Sequence, residues 1–208
     1  MARIRSEQYP KIQHFILERA AALFARVGYA SASINDLAAA AELSRGALYH
    51  YFPSKEAILL AIVEGHVTEF LSIVDAALTE NRTAIDQFRA VTRAMIECNA
   101  RSPNEQIVLL NDSNQLAKAD RERVKSVGRE IRDRLGDLLL RIDTAGKITP
   151  ANKRVYTMMY LGTINYAFAW YDPSGPIKPS EYGDLATDLF LQSLHTGAAY
   201  LKAPRARR

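Results

Sequence analysis

Arg45, Gly46, Tyr49 and His50 fall within one short run that could do chemistry on an anionic partner. If residues 44–52 are helical, an advance of roughly 100° per residue puts these four on one half of the cylinder. Ala47, Leu48, Tyr51 and Phe52 then take the other half. A major groove admits one α-helix. A guanidinium at the helix N-terminal end can bond a guanine edge bidentately, while a tyrosine hydroxyl, an imidazole and helix-end N–H groups hold phosphates. Gly46, with no side chain, lets the backbone come close to bases. The spacing alone serves equally well for a plain helical hairpin in a bundle.

Two short helices and a tight turn must position that face. Ser33 can cap the first by accepting a backbone N–H bond, with Asp36 three residues on at the positive helix end. Ile34, Leu37, Ala38 and Ala41 recur on one apolar side. Ser44 is a second cap, and Pro53 closes the helix it opens, leaving about two turns. The arrangement reads as a helix-turn-helix. Glu42 stands at the turn position before the final apolar residue, where glycine is frequent, and left-handed geometry there costs a non-glycine residue on the order of 1 kcal/mol.

The run Leu48-Tyr49-His50-Tyr51-Phe52-Pro53-Ser54-Lys55-Glu56 resembles the signature of TetR-type transcriptional regulators. The likeness extends upstream through Ala22-Leu23-Phe24-Ala25-Arg26-Val27-Gly28-Tyr29 and Ile34-Asn35-Asp36-Leu37-Ala38. It covers roughly the first quarter of the chain closely, and the rest only in size and helix pattern. The resemblance implies that Arg45 and Gly46 meet bases and that Ser33, Ser44, Tyr49, His50 and Lys55 meet phosphates.

Composition agrees without deciding. The 208 residues, 48% of them hydrophobic, suffice for one sizeable domain or two small ones. The net charge of +4 suits an anionic partner, but part of the excess sits in the tail residues Arg205, Arg207 and Arg208. A single cysteine, Cys98, excludes an intrachain disulfide, and His14, His50, His66 and His195 lie too far apart in sequence for zinc-ligand spacing. No metal and no cofactor is implied. The reading is of a cytoplasmic protein, with neither a signal peptide nor a stretch expected to cross a bilayer.

No period-two alternation calls for strands, so the fold class is all-α. Three N-terminal helices, the first over about residues 10–27, form a DNA-binding domain at 1–53. Six further helices, over about 54–79, 84–100, 103–116, 118–142, 150–171 and 180–201, form a ligand-binding and dimerisation domain at 54–203, with a basic tail at 204–208. Every proline is expected between helices. Ser102-Pro103-Asn104-Glu105 matches a capping box, and Thr149-Pro150 repeats the cap-then-proline device.

Similar regulators dimerise through their last two helices. Val155, Met158, Gly162, Tyr166 and Ala169 on one of these, with Leu185, Leu189, Ser193 and Thr196 on the other, are the residues expected to meet a second copy, while Phe190, Leu194, Ala198 and Leu201 are available to face inward. The resemblance further implies a ligand in the second domain that changes the spacing of the two DNA readers. Polar candidates for that ligand are His66, Cys98, Asn111, Asn165 and Trp170, each equally readable as an ordinary core or surface group. The stretch from Leu161 to Pro176 is similar to the end of regulators of fatty-acid or sterol breakdown that sense acyl-CoA thioesters. On that likeness, Arg121, Arg123, Lys125, Arg129 and Arg132 could meet CoA phosphates, although a charge run of this kind is usually a solvated face.

The expected function is therefore a homodimeric regulator, repressing by family default, that binds a pseudo-palindromic duplex operator and responds to a small hydrophobic effector. No nucleophile elbow, phosphate loop, HExxH or paired-carboxylate motif supports an enzyme. A constitutive DNA binder without effector and a helical protein–protein adaptor stay open.

Overall fold

The computed structural model describes residues 2–79 and 83–200, with side chains over 8–79 and 83–194. Among the described residues the chain is helical throughout: α1 (Ala2–Val27), α2 (Ile34–Ala40), α3 (Arg45–Tyr51), α4 (Lys55–Thr79), α5 (Ala84–Arg101), α6 (Pro103–Asp112), α7 (Lys118–Ile142), α8 (Lys153–Asn165) and α9 (Pro179–Tyr200). Short 3-10 turns follow α6 at Ser113–Gln115 and α8 at Ala167–Ala169. The basic tail, Leu201 and the side chains of Thr196 and Ala198 lie outside the described residues.

Local chemistry accounts for most boundaries. Gly28, at φ 80°, ends α1 in the left-handed geometry that glycine adopts without a Cβ clash. Ser33 and Asp36 form a complete capping box on α2. A second box, Thr83 with Asp86, opens α5: the Thr83 hydroxyl donates to the carboxylate at 2.7 Å and accepts the Asp86 N–H at 3.2 Å.

Three expectations change. Pro10 lies inside α1 rather than before it, because its fixed φ is compatible with helix and the cost of its missing N–H is confined to one turn. Ser102 makes no side-chain capping bond, so the expected box at α6 is absent and only the proline at its first turn remains. Residues 149–152 form a turn held by the Asn152 side chain, whose Oδ1 accepts the Thr149 N–H at 2.6 Å while its amide donates to the Lys147 carbonyl at 2.8 Å. That turn delays α8 to Lys153, and the helix stops at Asn165.

The chain groups into two compact units, Met1–Glu69 with Ser102–Gly128 and Phe70–Arg101 with Arg129–Arg208. The expected division after residue 53 falls inside the first. Its core gathers Ile16, Phe24, Leu37, Leu48, Ile58, Leu59 and Val63 with Val108 and Val124. The core of the second is aromatic: Phe88, Tyr160 and Phe190 pack with ring centroids 4.8–5.7 Å apart, and the buried Tyr160 hydroxyl meets Thr92 Oγ1 at 2.8 Å. On its rim, Arg89 and Arg93 of α5 bond Asp184 and Asp188 of α9. At Gly183 an added Cβ would come within 2.9 Å of the Arg93 Cα, so only glycine lets α9 lie this close to α5.

Helix α4 is more apolar than the sequence reading allowed. It is long and apolar enough to cross a bilayer by length and composition. Many of its apolar residues are core residues: Ile58, Leu59, Ile62, Val63 and Val67 are buried in the first unit, and Phe70, Val74 and Ala77 in the second. A helix that is apolar round much of its circumference is what burial on several sides demands.

Candidate nucleic-acid interface

The seven residues of α3 are too few to hold a helix alone in water, so the ends and the packed face must fix it. Ser44 Oγ accepts the Ala47 N–H at 3.1 Å, and the Phe52 N–H closes the far end on the Leu48 carbonyl at 3.0 Å. Leu48, 0% exposed, and Phe52 anchor the inner side. Ser44, Arg45, Gly46, Tyr49 and His50 are all exposed, with Ala47 and Tyr51 partly covered between the two faces. The face read from the sequence is the face the fold leaves outward.

The turn between α2 and α3 takes the strained form anticipated from its sequence. Glu42 has φ 55°, the one non-glycine residue with positive φ among those described. The Leu43 N–H returns to the Ala38 carbonyl at 2.9 Å, fixing the angle between the helices.

A shallow surface depression beside α3 is lined by Ser33, Tyr49, Ser54 and Lys55, together with Ala32, Ile34, Pro53 and Glu56. It brings three of the expected phosphate contacts together. Two of them are differently engaged from what the motif implied. The Ser33 hydroxyl donates to Asp36 at 2.6 Å, so its proton is already committed to the cap, and the bonds from Ser33 hold the Asp36 carboxyl below its usual range. Lys55 turns inward, donating to the carbonyls of Tyr29 at 2.9 Å and Ala32 at 2.8 Å, with its ammonium 4.2 Å from the Tyr29 ring centroid. An ammonium has three protons, and two of these are taken.

Lys55 thereby belongs to a scaffold that sequence reading did not find. Tyr29 donates its hydroxyl to Glu56 Oε1 at 3.1 Å and its backbone N–H to Asp112 Oδ2 at 3.3 Å. Burial, reinforced by the Glu56 bond, pushes the Tyr29 phenol up to about 12, which keeps it a donor. The contacts tie the α1–α2 turn to the start of α4 and the end of α6. The partners lie 27 and 83 residues from Tyr29 in sequence, beyond the reach of any spacing argument.

The expected ligand residues differ in how far they are buried. His66 is buried in the first unit, with Nε2 2.9 Å from Gln106 Oε1, and burial lowers its pKa. Cys98 is buried and Asn165 partly so, both in the second unit. Asn111 is exposed, because Gln106 and Val108 occupy the inward side of α6. Trp170 is 63% exposed where the chain leaves the 3-10 turn, with its ring 5.4 Å from that of Tyr182. Neither Asn111 nor Trp170 has the enclosure expected of an effector contact. Asn99 does: it is buried, its amide donates to the Ile164 carbonyl at 3.3 Å, and its Oδ1 has no hydrogen-bond partner among the described residues. In the basic run of α7, Arg123 is paired with Glu64 and Asp120, and Lys125 with Glu122. These two charges stand in ion pairs of the chain itself.

Comparison with known proteins agrees with this geometry. Residues 16–62 match the pattern described as bacterial regulatory proteins of the tetR family. Residues 81–194, more than half of the chain, match a tetracyclin repressor-like C-terminal domain. The crystal structure of a TetR-family transcriptional regulator from Bordetella parapertussis is 32% identical, with a TM-score of 0.83, and the match covers 93% of this chain and 98% of that one. AibR, solved in complex with isovaleryl coenzyme A and operator DNA, is 25% identical with a TM-score of 0.74, over 86% of this chain and 97% of that one. An uncharacterized helix-turn-helix regulator of Bacillus subtilis, YuxN, is 47% identical over 51 residues, which is 24% of this chain and only 18% of YuxN. With both family patterns in place and the Bordetella regulator 32% identical along nearly its whole length, the chain belongs to the TetR family of transcriptional regulators, a DNA-binding and non-enzymatic family.

Proposed function

We propose that the chain is a homodimeric repressor that binds a pseudo-palindromic operator and is released by a small hydrophobic effector, with acyl-CoA thioesters the class to test first. The observation that carries this reading is the outward face of α3, where Ser44, Arg45, Gly46, Tyr49 and His50 are exposed over a core anchored by Leu48. Arg45 and Gly46 meet base edges, while Ser44, Tyr49 and His50 hold phosphates. Residues 1–53 read DNA and residues 54–203 regulate, in the cytoplasm where the DNA lies.

Dimerisation draws support from an apolar surface on α8 and α9. Val155, Met158, Met159, Tyr166, Leu185 and Leu189 are each at least half exposed. Large apolar side chains left in solvent in such number favour an interaction site. Two-fold symmetry then sets the recognition helices about one turn of duplex, roughly 34 Å, apart.

The effector reading draws support from AibR, whose structure holds isovaleryl coenzyme A beside operator DNA. In this chain we assign effector contact to the buried groups His66, Cys98 and Asn99, the last through its unpartnered Oδ1, and to the partly buried Asn165. The effector releases DNA only by its differential affinity for two spacings of the readers.

Selection from random duplexes tests the reading. Recovery of two inverted half-sites supports it, and recovery of no preferred duplex refutes it. Light scattering at micromolar protein checks the dimer, which a monomer binding a single half-site would disprove. Titration of the operator complex with isovaleryl-CoA and longer acyl-CoAs checks the effector class, which fails if none binds and none releases the operator.

A further inference from the structure

We propose that Tyr9, outside the helix-turn-helix, is a positioning residue for operator reading that acts through His50, an inference that rests on the function proposed above. The last carbonyls of any helix lack partners within it. At the end of α3 the Leu48 carbonyl receives the Phe52 N–H, while the His50 carbonyl receives the Tyr9 hydroxyl, a long bond of 3.5 Å spanning 41 residues of sequence. Rings reinforce the tie. The Tyr9 centroid lies 5.9 Å from that of His50 at an interplanar angle of 86°, and 4.8 Å from that of Tyr51 at 34°. His50 and Tyr51 stand edge to face at 5.4 Å.

An exposed imidazole on a seven-residue helix would otherwise turn freely about its side-chain bonds. Set against two tyrosine rings, it keeps one orientation before DNA arrives, and the ordering cost at binding is reduced. Ser44 secures the first end of α3 and Tyr9 the last. The long first helix thus takes part in operator reading.

The test is a double-mutant cycle on the selected operator with wild type, Tyr9→Leu, His50→Ala and the double variant, each with its urea midpoint measured in parallel. An aromatic contact of this kind corresponds to a weakening of about two- to tenfold for Tyr9→Leu. In the His50→Ala background Tyr9→Leu should weaken binding clearly less, since the imidazole that Tyr9 orients is gone while the backbone carbonyl at position 50 and the Tyr51 ring remain. Tyr9→Phe, which keeps the ring and loses the donor, should fall between wild type and Tyr9→Leu, and it serves as the variant if Tyr9→Leu does not fold. Unchanged operator affinity in both Tyr9 variants, or an equal loss with and without His50, overturns the inference while leaving the proposed function standing. A wild-type chain that selects no duplex overturns both.

Discussion

Replacing Lys55 by Met removes the ammonium and keeps most of the aliphatic stem. Two carbonyl oxygens then lose their donor, those of Tyr29 and Ala32 at 2.9 and 2.8 Å, and the contact with the Tyr29 ring at 4.2 Å goes as well. A hydrogen bond from a charged donor is worth roughly 1.5–3 kcal/mol net and a cation–π contact about 0.5–1. Lys55 is only partly buried, so water replaces some of what is lost, and the sum comes to about 2–3 kcal/mol. With a urea dependence of about 1–3 kcal/mol per molar, the unfolding midpoint should fall by about 0.7–3 M. Urea titration followed by circular dichroism measures this directly. Salt dependence of operator binding gives the second reading, because loss of a true phosphate contact would flatten the log–log slope by about 0.9 per phosphate. The structure leads us to expect a lowered midpoint and a nearly unchanged slope. An unchanged midpoint with a slope reduced by about one would show that Lys55 leaves the two carbonyls for DNA, and the scaffold argument would fail.

Arg45→Ala should cost about 1–3 kcal/mol of operator affinity and relax base preference at one position, as read by repeating the duplex selection; equal losses on all sequences would make Arg45 a phosphate clamp only. Glu42→Gly should relieve its left-handed backbone, at φ 55°, and raise thermal stability by about 1 kcal/mol. A lower melting temperature would mean the Glu42 side chain contributes more than its backbone costs. Burial lowers the His66 pKa, with Gln106 and Glu69 the neighbouring groups that oppose the shift. The folded chain therefore binds fewer protons than the unfolded one just below pH ~6.5, so this contribution to stability is complete above that pH and is lost as pH falls, by up to about 1.4 kcal/mol per unit. His66→Gln should flatten that acid limb in urea titrations at matched pH. Glu105, which burial pushes upward, acts in the opposite sense, so a variant as steep as wild type would rule His66 out.

The sequence by itself determined the helix-turn-helix and its outward face, because caps, periodicity and a turn strained at Glu42 are local matters of one to four residues. The number and order of the helices were legible for the same reason. Boundaries were lost where a side chain acted outside the usual capping pattern, as Asn152 does in delaying α8, or where Ser102 declined the bond its neighbours offered. Only the tertiary structure decided what Lys55 and Tyr9 do. Their partners lie 23 to 41 residues away, and a lysine that meets phosphate and a lysine that holds carbonyls are the same letter until the chain is folded around it. The apolar run of α4 makes the same point: composition alone allows a bilayer, and burial of Ile58, Leu59, Ile62 and Val63 in a protein core shows where that apolar surface goes.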